Sequence, residues 1–288
     1  MTIWNLGGIN ADYIYEVPHI PAPGETLDGA NRQVFLGGKG ANMSVAAARA
    51  GAHVRHIGAV GGDGRWAVEK MLEYGVDTRT IVEVDTQTAH AFIMVAEDGE
   101  NAIMVYPGAN REIPEDGIKQ ALTQAKTGDW FVCQNEVNAQ VETAKLARDM
   151  GLNVAYAAAP FDADLTSRML PFLDFLILNE VEADQLKTAT GKGPADLGIK
   201  NVIVTLGSKG ATLIDAEGET NVPSHKVEAI DTTGAGDTFT GYVLAGLDAG
   251  QPILQAMKTA SKAGALMVTR RGTADVIPDL AEVQAFNG

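Results

Sequence analysis

The chain has 288 residues, 45% of them hydrophobic and 20% charged, with a formal net charge of −15. That charge argues against nucleic acid or an anionic membrane surface as a partner. The one cysteine, Cys133, excludes an internal disulfide, and the five histidines form no metal-binding cluster with it.

Short apolar runs alternate with helical patterns along the chain. Strands are expected at residues 2–6, 53–60, 130–134, 152–157, 172–178 and 202–206. Helices are expected at 42–50, 65–74, 140–150, 182–188, 237–248 and 253–267. This alternation predicts βαβ units and a mostly parallel sheet covered by helices. The stretches 10–35 and 89–106 break the rhythm, being rich in strand and turn residues and poor in helix. Cys133 lies in the apolar run Trp130-Phe-Val-Cys and reads as a small buried hydrophobe. The first residues read directly as a strand, without the basic and apolar regions of a secretory signal, and no apolar run approaches the length of a membrane span. A cytoplasmic protein is expected.

Two glycine-rich turns carry the chemistry. Near the start, Gly37-Gly-Lys-Gly-Ala-Asn42 opens an alanine-rich helix, with Lys39 and Asn42 adding a cation and an amide to the turn. Near the end, Asp231-Thr-Thr-Gly-Ala-Gly-Asp237 opens another helix. A glycine turn at a helix start offers unpaired N–H groups and the positive end of the dipole to an anion. A carboxylate there repels phosphate, but it suits a base that takes a proton from an attacking hydroxyl. Asp237 is therefore the candidate base, and the N–H groups of Gly234, Ala235 and Gly236 are the candidate anion hole; simple helix capping by Asp237 is the plainer alternative. Neither turn is a P-loop, because the glycine required five residues before Gly-Lys is absent at both Gly38-Lys39 and Gly191-Lys192. Neither fits the spaced dinucleotide-binding pattern.

These motifs resemble those of the ribokinase, or PfkB-type, family of carbohydrate kinases. Asn179-Glu-Val-Glu182 resembles the family's N-x-x-E motif, and Thr205-Leu-Gly-Ser-Lys-Gly210 resembles its nucleotide loop. The opening Gly8-Ile-Asn-Ala-Asp12 and Pro23-Gly-Glu-Thr26 resemble the ribokinase branch. The resemblance implies an α/β three-layer sandwich over 1–288 as a single kinase domain, with a small β-sheet lid built from about 10–36 and 88–108.

It implies an ATP-dependent transfer of the γ-phosphoryl group to the primary hydroxyl of a ribose-like sugar, D-ribose giving D-ribose 5-phosphate. Sugar contacts are implied for Asn10, Asp12, Gly38, Lys39, Asn42, Glu136 and Asp237. Nucleotide contacts are implied for Asn179, Thr205, Gly207, Ser208, Gly210, Gly236 and Ser261, the last standing where ribokinases often place histidine. Mg²⁺ would be met through water by Glu182. A K⁺ ion would be met by Asp231 and by carbonyls of Thr233, Met267, Arg270 and Gly272, with Val276 where a small polar residue is usual. A homodimer through the lid is implied, since the alternating apolar residues of 91–96 leave both faces of that strand to be covered. A kinase for another sugar, a sugar acid or a nucleoside shares these motifs. A binding protein that has lost catalysis is opposed by the intact Asp237 turn.

Overall fold

The computed structural model describes residues 1–286. Its strands are β1 (Thr2–Leu6), β2 (Asn10–Val17), β3 (Asn31–Gly37), β4 (His53–Gly61), β5 (Asp77–Val84), β6 (Ala89–Ala96) and β7 (Asn101–Tyr106). They continue as β8 (Trp130–Gln134), β9 (Asn153–Ala157), β10 (Phe175–Asn179), β11 (Asn201–Thr205), β12 (Ala211–Asp215) and β13 (Gly218–Val222). The helices are α1 (Lys39–Arg49), α2 (Arg65–Glu73), α3 (Glu115–Leu122), α4 (Gln140–Asp149) and α5 (Ala163–Met169). α6 (Glu180–Thr190), α7 (Ala235–Asp248), α8 (Ile253–Met267) and α9 (Leu280–Ala285) complete them.

Nine strands form one sheet in the order β13-β12-β11-β10-β9-β8-β1-β4-β5. All its pairs are parallel except β11–β12 and β12–β13. Side chains alternate between its faces, so successive residues enter different cores. Ile3 joins the side holding Val45 of α1, Met71 of α2, Val243 of α7 and Met257 of α8. Trp4 and Leu6 join the side holding Ile118 of α3, Ala144 of α4, Met169 of α5 and Leu186 of α6. The result is a helix–sheet–helix sandwich, the architecture expected from the sequence. Cys133 lies fully buried in the second core.

Some elements escaped the pattern. The hairpin of β12 and β13 is partly exposed and carries little apolar signal: Gly218–Val222 reads GETNV. α3, α5 and α9 have eight, seven and six residues, too few for a periodicity to stand out. α6 begins at Glu180, two residues before the expected start, because Asn179 caps it.

The two helix-poor stretches pair with each other. β2 runs antiparallel to β3 and parallel to β6, and β6 runs antiparallel to β7, giving a second sheet in the order β3-β2-β6-β7. Its free edge is apolar: Ile103, Met104 and Val105 on β7 are each more than half exposed. On one face Tyr13, Tyr15, His90, Phe92 and Tyr106 form a chain of ring contacts. The other face carries Asn10 and Asp12. Among the described residues no helix is long and apolar enough to cross a membrane.

Candidate active site

The two glycine turns start α1 and α7, and these helices pack against each other. At Gly241 a Cβ would lie 2.6 Å from the Ala46 Cβ and the Met43 carbonyl oxygen, so a larger residue would push α7 off α1. Each turn holds a glycine at positive φ, Gly38 at 90° and Gly234 at 74°. Close packing brings the helix starts together: Asn42 Nδ2 donates to Asp237 Oδ2 at 2.9 Å across 195 residues of sequence. Asn42 Oδ1 is buried with no partner among the described residues. A buried acceptor left open at this point is suited to a ligand hydroxyl.

Around Asp237 stand the other candidates. Lys39 donates its backbone N–H to Glu136 Oε2 at 2.8 Å. Its ammonium feels Asp237 first, then Glu136 and Glu182, which outweigh burial and raise its pKa. Burial pushes Glu136 up to about 7, with Asp237 and Asp12 adding to the rise and Lys39 opposing it. Burial also lifts Asp12 to about 6, and the charge of Asp237 adds to it. Asp237 is raised by burial against the pull of Lys39 and Asn42. Three carboxyls and one ammonium thus share a low-dielectric space. Glu136, which follows a strand end, is part of this group rather than a solvated surface charge. The space is tightly built, because a Cβ on Gly37 would lie 1.9 Å from Asp12 Oδ2.

Beneath the first turn lies a buried polar layer that sequence reasoning missed. Asn5 Nδ2 donates to Gly40 O and to Ser44 Oγ, both at 2.9 Å. Ser44 Oγ meets His56 Nδ1, and His56 Nε2 meets Gly7 O, again both at 2.9 Å. A carbonyl can only accept, so His56 carries its proton on Nε2 and receives one from Ser44. Burial lowers its pKa to about 4, which keeps it neutral. These residues pin the carbonyls of Gly7 and Gly40, whose backbones meet so closely that a Cβ on Gly40 would lie 2.4 Å from the Gly7 Cα. Singly, an Asn, a Ser and a His in apolar runs carry no motif.

On the other side of Asp237 a cleft of about 310 Å³ is lined by Thr205, Gly207, Ser208, Gly210, Gly236 and Ser261, together with His225, Phe239 and Val268. All the predicted nucleotide residues except Asn179 therefore share one cleft, and Gly236 adjoins Asp237. The Ser261 hydroxyl is engaged, donating to the Pro223 carbonyl at 3.0 Å.

In the anion-hole turn the Ala235 N–H meets the Thr232 carbonyl at 3.2 Å. Among the described residues the N–H groups of Gly234 and Gly236 have no such bond. The left-handed turn at Gly234 folds Ala235 back on Thr232, which leaves Gly234 and Gly236 as the free donors. Asn179 and Glu182 form a reciprocal capping box: Asn179 Oδ1 accepts from Glu182 N, and Glu182 Oε2 accepts from Asn179 N, both at 2.8 Å. The box commits the Asn179 oxygen and leaves its NH₂ group and Glu182 Oε1.

Asp231 holds its loop by accepting from Thr233 N at 2.9 Å and Gly272 N at 3.3 Å. The Met267 carbonyl already accepts from Arg270 N at 3.0 Å, whereas the carbonyls of Thr233, Arg270 and Gly272 accept no backbone N–H among the described residues. Val276 packs beside Gly272, where a Cβ would lie 3.1 Å from Val276 Cγ1.

Comparison with known proteins places this architecture. Residues 3–280 match the family model described as pfkB family carbohydrate kinase. The chain is 36% identical to a ribokinase of Haemophilus influenzae, over 99% of this chain and 98% of that protein. A ribokinase structure from Thermotoga maritima covers 99% of this chain and 98% of its own, with a TM-score of 0.91 and 31% identity. The structure of Arabidopsis thaliana ribokinase complexed with ribose and ATP covers 99% of each chain, with a TM-score of 0.87 and 26% identity.

Proposed function

The chain belongs to the pfkB family of carbohydrate kinases, and from that premise we propose that it is an ATP-dependent ribokinase. The observation that carries the reading is the Asn42–Asp237 contact, which joins the starts of α1 and α7 at the junction of a buried polar space and an open cleft. A base between an acceptor sugar and a nucleotide is what direct phosphoryl transfer needs.

Ribose would occupy the space among Asn10, Asp12, Gly38, Lys39, Asn42 and Glu136, and ATP the cleft from Thr205 to Ser261. Asp237 takes the proton of the 5-hydroxyl as its oxygen bonds to the γ-phosphorus and the bond to the β-phosphate oxygen breaks. The free N–H groups of Gly234 and Gly236 hold the charge on the transferring group, with Lys39 adding a cation. The ring of carboxyls suits a substrate whose hydroxyls donate, and no apolar wall for a nucleobase stands among Asn10, Asp12, Lys39 and Glu136. The small sheet of β2, β3, β6 and β7 is proposed as a lid, on one kinase domain, that carries Asn10 and Asp12 over the sugar and keeps water from the γ-phosphoryl group.

The donor chemistry fits Mg²⁺ on the ATP phosphates. Glu182 Oε1 would meet a metal-bound water, and the Asn179 NH₂ would donate to a phosphate oxygen. Bound there, Mg²⁺ would neutralise phosphate charge. A K⁺ ion fits the open carbonyls of Thr233, Arg270 and Gly272 beside Asp231, and the Met267 carbonyl, already engaged, is the weakest of the proposed ligands. Adding K⁺ to enzyme in a Tris buffer at constant ionic strength should raise activity; a flat response would remove that site. The exposed apolar edge of β7 supports a homodimer through the lids. Light scattering at micromolar concentration should report about twice the chain mass, and a fully active monomer would rule this out. A cytoplasmic enzyme using soluble ribose and ATP accords with these features.

The test of the whole reading is ADP release across a panel of sugars and nucleosides. Ribose is expected to be the best acceptor, with phosphate on its 5-oxygen; turnover of a nucleoside with ribose inert would overturn the substrate.

A further inference from the structure

One buried side chain at the root of the small sheet plays no part in the mechanism above. Asn110 sits in the turn between β7 and α3 and is 2% exposed. Its Oδ1 accepts the backbone N–H of Ile9 at 3.0 Å, and its Nδ2 donates to Asn10 Oδ1 at 2.9 Å. The backbone N–H of Ile9 can only donate, so the Asn110 atom facing it is the oxygen. The opposite end is then the NH₂, which can only donate, so the Asn10 atom it meets is also an oxygen. This one-way chain removes the usual ambiguity between amide oxygen and nitrogen. The Asn10 NH₂ is therefore turned away from Asn110, and no group among the described residues accepts from it.

Asn10 shares its face of β2 with Asp12, whose carboxyl lies in the field of Asp237. The walls of that space are dominated by acceptors: Asp12, Glu136, Asp237 and the open Asn42 Oδ1. A hydroxyl that donates to a carboxylate still has lone pairs, and a ring oxygen has nothing else. Donors are scarce here, and the Asn10 NH₂ is one of few.

We propose that Asn110 is a positioning residue for the sugar: it holds the Asn10 amide so that this corner of the pocket offers a donor and selects a substrate oxygen that accepts. The proposal rests on the ribokinase reading. The same bonds tie together the two roots of the small sheet, so a purely structural role makes a different prediction.

The test is a double-mutant cycle on the full chain, with ribose and ATP kinetics and thermal melting. Asn110→Asp still accepts from Ile9 but cannot donate to Asn10. The Asn10 amide then turns its NH₂ toward the new carboxylate and shows its oxygen to the sugar. KM for ribose should rise about tenfold or more, the scale of a hydrogen bond replaced by an unpaired acceptor, while KM for ATP stays within about twofold. Asn10→Ala should raise the ribose KM similarly, and Asn110→Asp added to Asn10→Ala should change it no further. If Asn110→Asp fails to fold, Asn110→Ala serves, with a smaller rise of about threefold to tenfold and the same loss of effect on Asn10→Ala.

Additive effects in the cycle, or a wild-type KM in the Asn110 variants, would overturn the proposal. An effect of added negative charge alone would persist in the Asn10→Ala background and counts against it. Turnover of ribose by the wild-type protein is measured first, because its absence would refute the substrate reading instead. The cycle is then run on whichever acceptor the wild type uses.

Discussion

The two sides of Asp237 are built in opposite ways. On the proposed acceptor side Asn10, Asp12 and Asn42 are all buried, and a layer of Asn5, Ser44 and His56 fixes the backbone beneath them. On the proposed nucleotide side Gly207, Ser208 and Gly236 are exposed around an open cleft. The acceptor side is finished before any ligand arrives, and it holds carboxyls whose pKa values burial has raised. The proposed nucleotide side offers the N–H groups of Gly234 and Gly236 and the exposed Ser208, which water can satisfy until a ligand displaces it. Burying charge demands supporting contacts, whereas a flexible polyphosphate can be followed by exposed loops. Changes on the acceptor side should therefore alter binding and stability together, and changes on the nucleotide side should alter binding alone.

The largest effect falls where the sides meet. Asp237→Asn should lower turnover by about 10²-fold to 10⁴-fold, the range of a lost general base, with the variant folded and still binding ATP. Near-normal turnover would remove Asp237 from the mechanism. Next, Glu136→Ala and Asn42→Ala should raise the ribose KM by about tenfold to a hundredfold, the scale of hydrogen bonds involving charged groups. Their ATP KM should hold, and an equal rise in both constants would erase the division between the sides. Ser208→Ala should raise the ATP KM only about twofold to tenfold, as for one neutral hydrogen bond. Its melting temperature should stay unchanged, because Ser208 is exposed in a loop.

The sequence marked the proposed acceptor and nucleotide residues but not what holds them. Alternating apolar runs marked the parallel strands, since a strand buried on both faces needs an apolar side chain at nearly every position. The glycine turns were readable because glycine takes the positive φ at Gly38 and Gly234 without the strain a side chain would bring. The Asn5–Ser44–His56 layer and Asn110 were not, because each partner is a common residue and the bonds span 12 to 101 residues of sequence. The capping box was hidden differently. Asn179 and Glu182 stood out as a motif, but the motif could not say that one oxygen of each is spent on the start of α6.

A change in stability without ligand tests the comparison most directly. Asp12 has a folded pKa of about 6 against an ordinary value of 3.8, raised first by burial and then by Asp237. A carboxyl raised in this way binds its proton more tightly in the folded state than in the unfolded one. Stability therefore falls as pH rises between those two values, and the loss is complete above the folded pKa. Asp12→Asn keeps the shape but carries no charge to bury, so it fits beside Gly37 where a bulkier residue would not. Its melting temperature should match the wild type near pH 4 and exceed it by about 2–6 °C at pH 8, allowing roughly 1.4 kcal/mol per pKa unit. The same substitution should weaken ribose binding, because a carboxylate acceptor is lost. A melting curve for Asp12→Asn that tracks the wild type at every pH would mean that the charge on Asp12 is solvated, and the acceptor side would then be no more finished than the nucleotide side.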